Sequence, residues 1–276
     1  MKAMLKDQYD GYHFSESMLD IYNPFSLINA FQAKKISNYW FRSGTPAYLV
    51  KLLAGRNVRM DDMTGEFYPS DYFIDYRADV EDPLAMLYQS GYLTIKDYNG
   101  VDDTYRLDFP NTEVKRGFAT FIANDYFGEK VKADSFVRNL SGLLRHGDVH
   151  ALMDRFNSFL ADIPYMANLN ARAKNYEDHY QYTMYLLIKM LSGYVTLIEK
   201  QNSCGRADLI VETPDYVYVF EFKLDGSADE ALAQIEAKGY MQPYLCDKRK
   251  IIQVGVNISS KTGTVSEWRT SEFLIR

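Results

Sequence analysis

The chain has 276 residues, 47% of them apolar, and carries 31 basic and 37 acidic side chains for a net charge of −6. This is enough apolar chain for one large domain or two small ones without staples, and the acidic balance excludes a surface that is basic overall. Cys204 and Cys246 form no CxxC pair, MKAMLKDQYD lacks the apolar core of a signal peptide, and the longest apolar run, MYLLIKML, is interrupted by Lys189; the expectation is a soluble, cytoplasmic protein with no membrane partner.

Three helix starts share one grammar, a capping residue followed by proline: Asn23-Pro24, Thr45-Pro46 and Asp82-Pro83. They predict helices over 24–33, 46–54 and 83–90. Gly91 ends the third, and GYLTIKDYNGVDDTYRLDFP reads as a hairpin, with Leu93 and Ile95 alternating on one arm and Tyr105, Leu107 and Phe109 on the other. Helices followed by a hairpin suggest a winged-helix-like module over residues 1–114; a plain α+β packing module fits the pattern equally. The acidic tip, Asp97, Asp102 and Asp103, argues against a hairpin that grips phosphate.

From Val114 to about Asn170 the pattern is helical. The clearest stripe starts at an Asp148 cap and runs through Val149, Leu152, Met153, Phe156, Phe159, Leu160 and Ile163 to Pro164. A second helix begins near Asn175, its stripe being Glu177, Gln181, Met184, Ile188 and Leu191, with Gly193 at its end. Strands follow near 194–200, 206–212 and 216–224. Ser227 and Glu230 form a capping box for a helix to about Tyr240, and strands near 250–257 and 264–269 finish an α/β order.

The stretch GRADLIVETPDYVYVFEFK, Gly205 to Lys223, carries the chemistry. Residues i and i+2 share a strand face, so Glu221 and Lys223 point the same way as Val217 and Val219. If Glu212 pairs with Val217 across the Thr213-Pro214-Asp215 turn, Asp208 lies opposite Glu221. Opposed carboxylates there are destabilising, unless something positive sits between them. Two carboxylates on a divalent cation, with a lysine beside them, form a phosphodiester-cleaving arrangement. A merely solvated face, with Lys223 and Arg206 neutralising the acids, is the simpler alternative.

Asp208, then Glu221-Phe222-Lys223, then Gln234 in QIEAKGY, together with the order helix, three strands, helix, strand over about 175–270, resemble the PD-(D/E)XK nuclease superfamily. YDGYHF (Tyr9 to Phe14), YNPFSL (Tyr22 to Leu27) and NYWFRSGTPAYLVKLL (Asn38 to Leu53) resemble the segment after the ATPase in bacterial AAA-ATPase-like proteins that carry such a nuclease domain. Ala207 stands where the family often has Pro. The resemblance implies a restriction-endonuclease-like core with a helical extension over 115–276. It implies Asp208, Glu221, the Phe222 carbonyl and Glu177 as ligands of Mg or Mn, with Glu199 a weaker substitute for Glu177. Lys223 would act on water or phosphate, Gln234 would position Lys223 or substrate, and Tyr240 would pack nearby. The substrate is expected to be nucleic acid, DNA in the first place. The rival expectation is a non-catalytic interaction or regulatory module that keeps the scaffold and works with a separate ATPase chain, since no G-x-x-x-x-G-K-[ST] occurs.

Composition by segment weighs against easy DNA binding. The first 115 residues carry 12 basic and 17 acidic side chains, the remainder 19 and 20. A local patch of Lys115, Arg116, Lys130, Lys132, Arg138 and Arg145 is the candidate exception. His146 and His150 straddle a helix start and lack a third zinc ligand, Lys261-Thr262-Gly263 reads as a turn, and Tyr39, Trp40 and Phe41 read as core packing ahead of base stacking.

Overall fold

The computed structural model describes residues 2–43, 60–74, 84–127, 137, 140–162, 176–191, 195–202 and 205–273. The chain forms two compact units, Met1–Asp125 and Tyr126–Arg276. The helix expected over 46–54 lies outside the described residues, as do Lys130, Lys132, Arg138 and Pro164.

In the first unit, α1 (Lys2–Tyr9), α2 (Pro24–Ala33), α3 (Asp71–Ile74) and α4 (Leu84–Gln89) accompany a three-stranded antiparallel sheet of order β1-β3-β2: β1 (Phe67–Pro69), β2 (Thr94–Asn99) and β3 (Thr104–Asp108). The Asn23 side chain accepts from the Ser26 N–H and Pro24 opens α2, so the predicted cap forms. The predicted hairpin is β2–β3, with a bulge between Ile95 and Asp97; the added strand β1 is too short and Pro-ended to give a sequence signal. The segment before α2 is pinned to β2: the His13 N–H donates to Thr94 Oγ1 at 2.8 Å and Thr94 Oγ1 donates to the His13 carbonyl at 2.7 Å. Tyr39 is buried, and Trp40 and Phe41 pack on Tyr92 at 4.8 and 5.9 Å.

The long helix α5 (Thr112–Phe127) is followed in the chain by α6 (Leu140–His146), α7 (Val149–Asp162) and α8 (Tyr176–Lys189). The Asp148 carboxylate accepts from the Ala151 N–H at 3.0 Å, capping α7, and the stripe read from the sequence is the buried one: Val149, Leu152, Met153, Phe156, Phe159 and Leu160. For α8 the expectation of a single buried stripe is corrected. Tyr180, Tyr182, Thr183, Tyr185, Leu186 and Leu187 are buried along with Gln181, Met184 and Ile188, so residues 180–188 of this helix are enclosed on every side although they include polar ones.

A five-stranded sheet of order β4-β5-β6-β7-β8 follows: β4 (Val195–Asn202), β5 (Gly205–Glu212), β6 (Tyr216–Leu224), β7 (Lys250–Ser259) and β8 (Thr264–Phe273). All neighbours are antiparallel except β6 and β7. Parallel strands need a crossover, and α9 (Ala228–Ala237) supplies it. Ser227 and Glu230 form the predicted capping box, and the helix stops three residues before Tyr240, ahead of Gly239 at φ +57°. On one face of β6, Tyr216, Tyr218, Phe220 and Phe222 stack at 5.8 to 6.3 Å. On the other, Val217 and Val219 join Ile210, Ile235, Tyr240, Met241, Tyr244 and Ile251 in the core beneath α9. Arg249 ties the start of β7 to the end of β5, donating to Glu212 Oε2 at 2.9 Å and the Thr213 carbonyl at 3.2 Å. No helix among the described residues is long and apolar enough to cross a membrane.

Candidate metal and phosphodiester site

The turn after Glu212 sets the register. Glu212 pairs with Val217, Val211 with Tyr218, Ile210 with Val219 and Leu209 with Phe220, as the spacing predicts. The pairing ends at Leu209↔Phe220, and Asp208 and Glu221 are the next residues on the two strands. There Asp208 Oδ2 accepts the Phe222 N–H at 2.8 Å, and the Asp208 carbonyl accepts from Gln181 Nε2 at 2.5 Å.

Glu221 is 1% exposed. Its Oε1 accepts from Lys223 Nζ at 3.4 Å and from Gln234 Nε2, whereas its Oε2 is buried without a hydrogen-bond partner. Burial, then the nearby charge of Asp208, push this carboxyl up to about 8, against the pull of Lys223. An orphaned carboxyl oxygen is costly, and a cation bound beside it would offset that cost.

Gln234 couples the pair. Its Oε1 accepts from Lys223 Nζ at 2.7 Å while its Nε2 donates to Glu221 and, at 3.5 Å, to the Tyr240 hydroxyl. An amide facing an ammonium with its oxygen and a carboxylate with its nitrogen has only one sensible orientation. Gly255 makes this reach feasible. It pairs with Glu221 on the adjacent strand, and a Cβ there would meet the Ala228 carbonyl at 2.3 Å; only glycine lets α9 lie so close over the sheet.

The structure thus brings together Asp208, Glu221, Lys223 and Gln234, with Phe222 between the acid and the lysine. Glu177 stands on α8 one turn before Gln181 and so on the same helix face, and Glu199 on β4; both side chains lie outside the described residues. Among the described residues no group of three or more His, Cys, Asp or Glu could hold a metal. His146 and His150 are apart in role: His146 Nδ1 bonds the Gly142 carbonyl and His150 pairs with Asp154. A cavity of about 490 Å³ between α7 and β8, walled by Met153, Asn157 and Trp268, includes none of the site residues. Two contacts escaped the sequence reading, the Gln181 bond to Asp208 and the approach at Gly255. A helical Gln has no signal of its own, and only the position of Gly255 in an apolar strand hinted at a close contact.

The mixed α/β fold of the second unit is consistent with what comparison with known proteins finds. Residues 175–268 match the family model of the PD-(D/E)XK nuclease superfamily, which supports that superfamily for the unit bearing the site. Over 261 residues, 93% of this chain, the sequence is 31% identical to an uncharacterized protein in the vnfD 5' region of Azotobacter chroococcum mcd 1; the chain spans about half the length of that relative. No solved structure gives a significant match.

Proposed function

We propose that this protein is a metal-dependent nuclease that hydrolyses phosphodiester bonds in DNA. The observation that carries the reading is the buried Glu221 with an orphaned Oε2, beside Asp208 and tied to Lys223 through Gln234. Two carboxylates offer hard oxygen donors, which suit Mg²⁺ or Mn²⁺, and the Phe222 carbonyl and Glu177 are the further ligands the resemblance suggests. Such a cation, when bound, polarises the scissile phosphate and acidifies an attacking water. The chain's own part is positional and electrostatic. Glu221 gives up its proton to bind, Lys223 presents an ammonium toward water or the phosphoryl oxygens, and Gln234 keeps that ammonium from collapsing onto Glu221. The first unit, helices with a small sheet, is proposed as a winged-helix-like module.

The test is cleavage of duplex DNA, single-stranded DNA and RNA in Mg²⁺ or Mn²⁺. Wild type should cut, and Lys223→Ala should not, while still binding Mn²⁺ within a few-fold by calorimetry. Asp208→Asn with Glu221→Gln should lose that binding; undiminished binding in the double variant would remove these residues from the metal role. Metal binding by the wild type without cleavage of any substrate would favour a scaffold that has kept the fold, a reading for which the net charge of −6 speaks.

A further inference from the structure

Gln181 is 5% exposed in the middle of α8, and its Nε2 donates at 2.5 Å to the main-chain carbonyl of Asp208. A buried amide is tolerated only when bonded, and this one is spent on the single strand residue that carries the first carboxylate of the site. The contact is directional. The carbonyl of Asp208 is fixed by α8, and its carboxylate is fixed by the Phe222 N–H at 2.8 Å. Two anchors, one on each end of the residue, define the rotation of the Asp208 peptide and hence where the remaining carboxylate lone pairs point. Gln181 also stands one turn after Glu177 on the same helix, so the bond sets the distance between that helix face and β5 at the level of the acids.

We propose that Gln181 is a positioning residue for the site: by holding the Asp208 carbonyl it aims the Asp208 carboxylate. Its functional meaning rests on the metal-site reading above, but its structural effect is measurable without metal. Partners that orient a ligand typically change metal affinity or activity by about 10–100-fold when removed.

The experiment compares Gln181→Met, which keeps length and removes the donor, with Phe156→Leu, a destabilising change in the buried face of α7. Gln181→Leu, which also removes the donor and has no titratable group, serves if the Met variant folds poorly. Two readouts are taken on the full chain: hydrogen exchange of the Phe222 amide without metal, and Mn²⁺ affinity by calorimetry. Gln181→Met should speed Phe222 exchange at least about tenfold beyond any global loss of protection and weaken Mn²⁺ binding about 10–100-fold. Phe156→Leu should do neither beyond its effect on stability. Phe222 exchange and Mn²⁺ affinity in Gln181→Met indistinguishable from Phe156→Leu would overturn the proposal. If the wild type binds no Mn²⁺, the metal-site reading fails on its own, and Phe222 exchange alone decides whether Gln181 holds Asp208.

Discussion

Burial and the charge of Asp208 push the Glu221 carboxyl up to about 8, while Lys223 at 3.4 Å pulls the other way. In the unfolded chain the same group titrates near 4.5. A carboxyl whose pKa is raised by folding binds more protons in the native state between these two values. Its contribution to stability is therefore complete below about 4.5 and is lost as pH rises toward about 8, with a slope of up to about 1.4 kcal/mol per pH unit. The metal-free protein should melt at lower temperature at pH 8 than at pH 5.5, and Glu221→Gln should flatten that dependence. A parallel pH dependence in wild type and variant would show that Glu221 is already ionised in the folded protein. Saturating Mn²⁺ should reverse the trend, because only the ionised carboxylate can be a ligand.

At the scale of elements, the site depends on how closely α9 lies over the sheet. A methyl group at Gly255 would meet the Ala228 carbonyl at 2.3 Å and the Leu232 N at 3.0 Å, both backbone atoms that cannot step aside without moving the helix. Gly255→Ala should cost about 1–3 kcal/mol by overpacking and abolish cleavage, since Gln234 moves with the helix. Ser227→Ala, which removes the capping box at the start of the same helix, should cost about 1 kcal/mol and leave the rate nearly intact at temperatures where it is folded. Equal losses of rate in the two variants would mean that helix stability, not its closeness, governs the site.

These contrasts also mark what was legible in the sequence. Caps at Asn23, Asp148 and Ser227 are local chemistry, visible within four residues, and each formed. The Glu212↔Val217 register followed from a short turn and strand alternation, and it carried Asp208 and Glu221 to one place. The Gln181 bond, the fit at Gly255 and the Arg249 tie between β5 and β7 join residues far apart in the chain. No local pattern encodes them, and α8 concealed its role further because residues 180–188 are buried on every side.

At the scale of the whole molecule, a net charge of −6 opposes a polyanionic substrate. Two salt effects then compete. Each cation that neutralises a phosphate makes log K fall with log salt by about 0.9, while screening of the overall repulsion makes association easier as salt rises. Among the described residues Lys223 is a cation fixed at the candidate site, its side chain 24% exposed and held at 2.7 Å by Gln234. Duplex binding, followed by anisotropy of a labelled duplex from about 25 to 200 mM salt, should therefore show a shallow slope, no steeper than about −2. Lys223→Ala should weaken binding to all sequences alike and reduce the slope by about one. A wild-type slope of −5 or steeper would require a phosphate-binding surface well beyond Lys223 and would move substrate recognition away from the sheet face that carries the carboxylates.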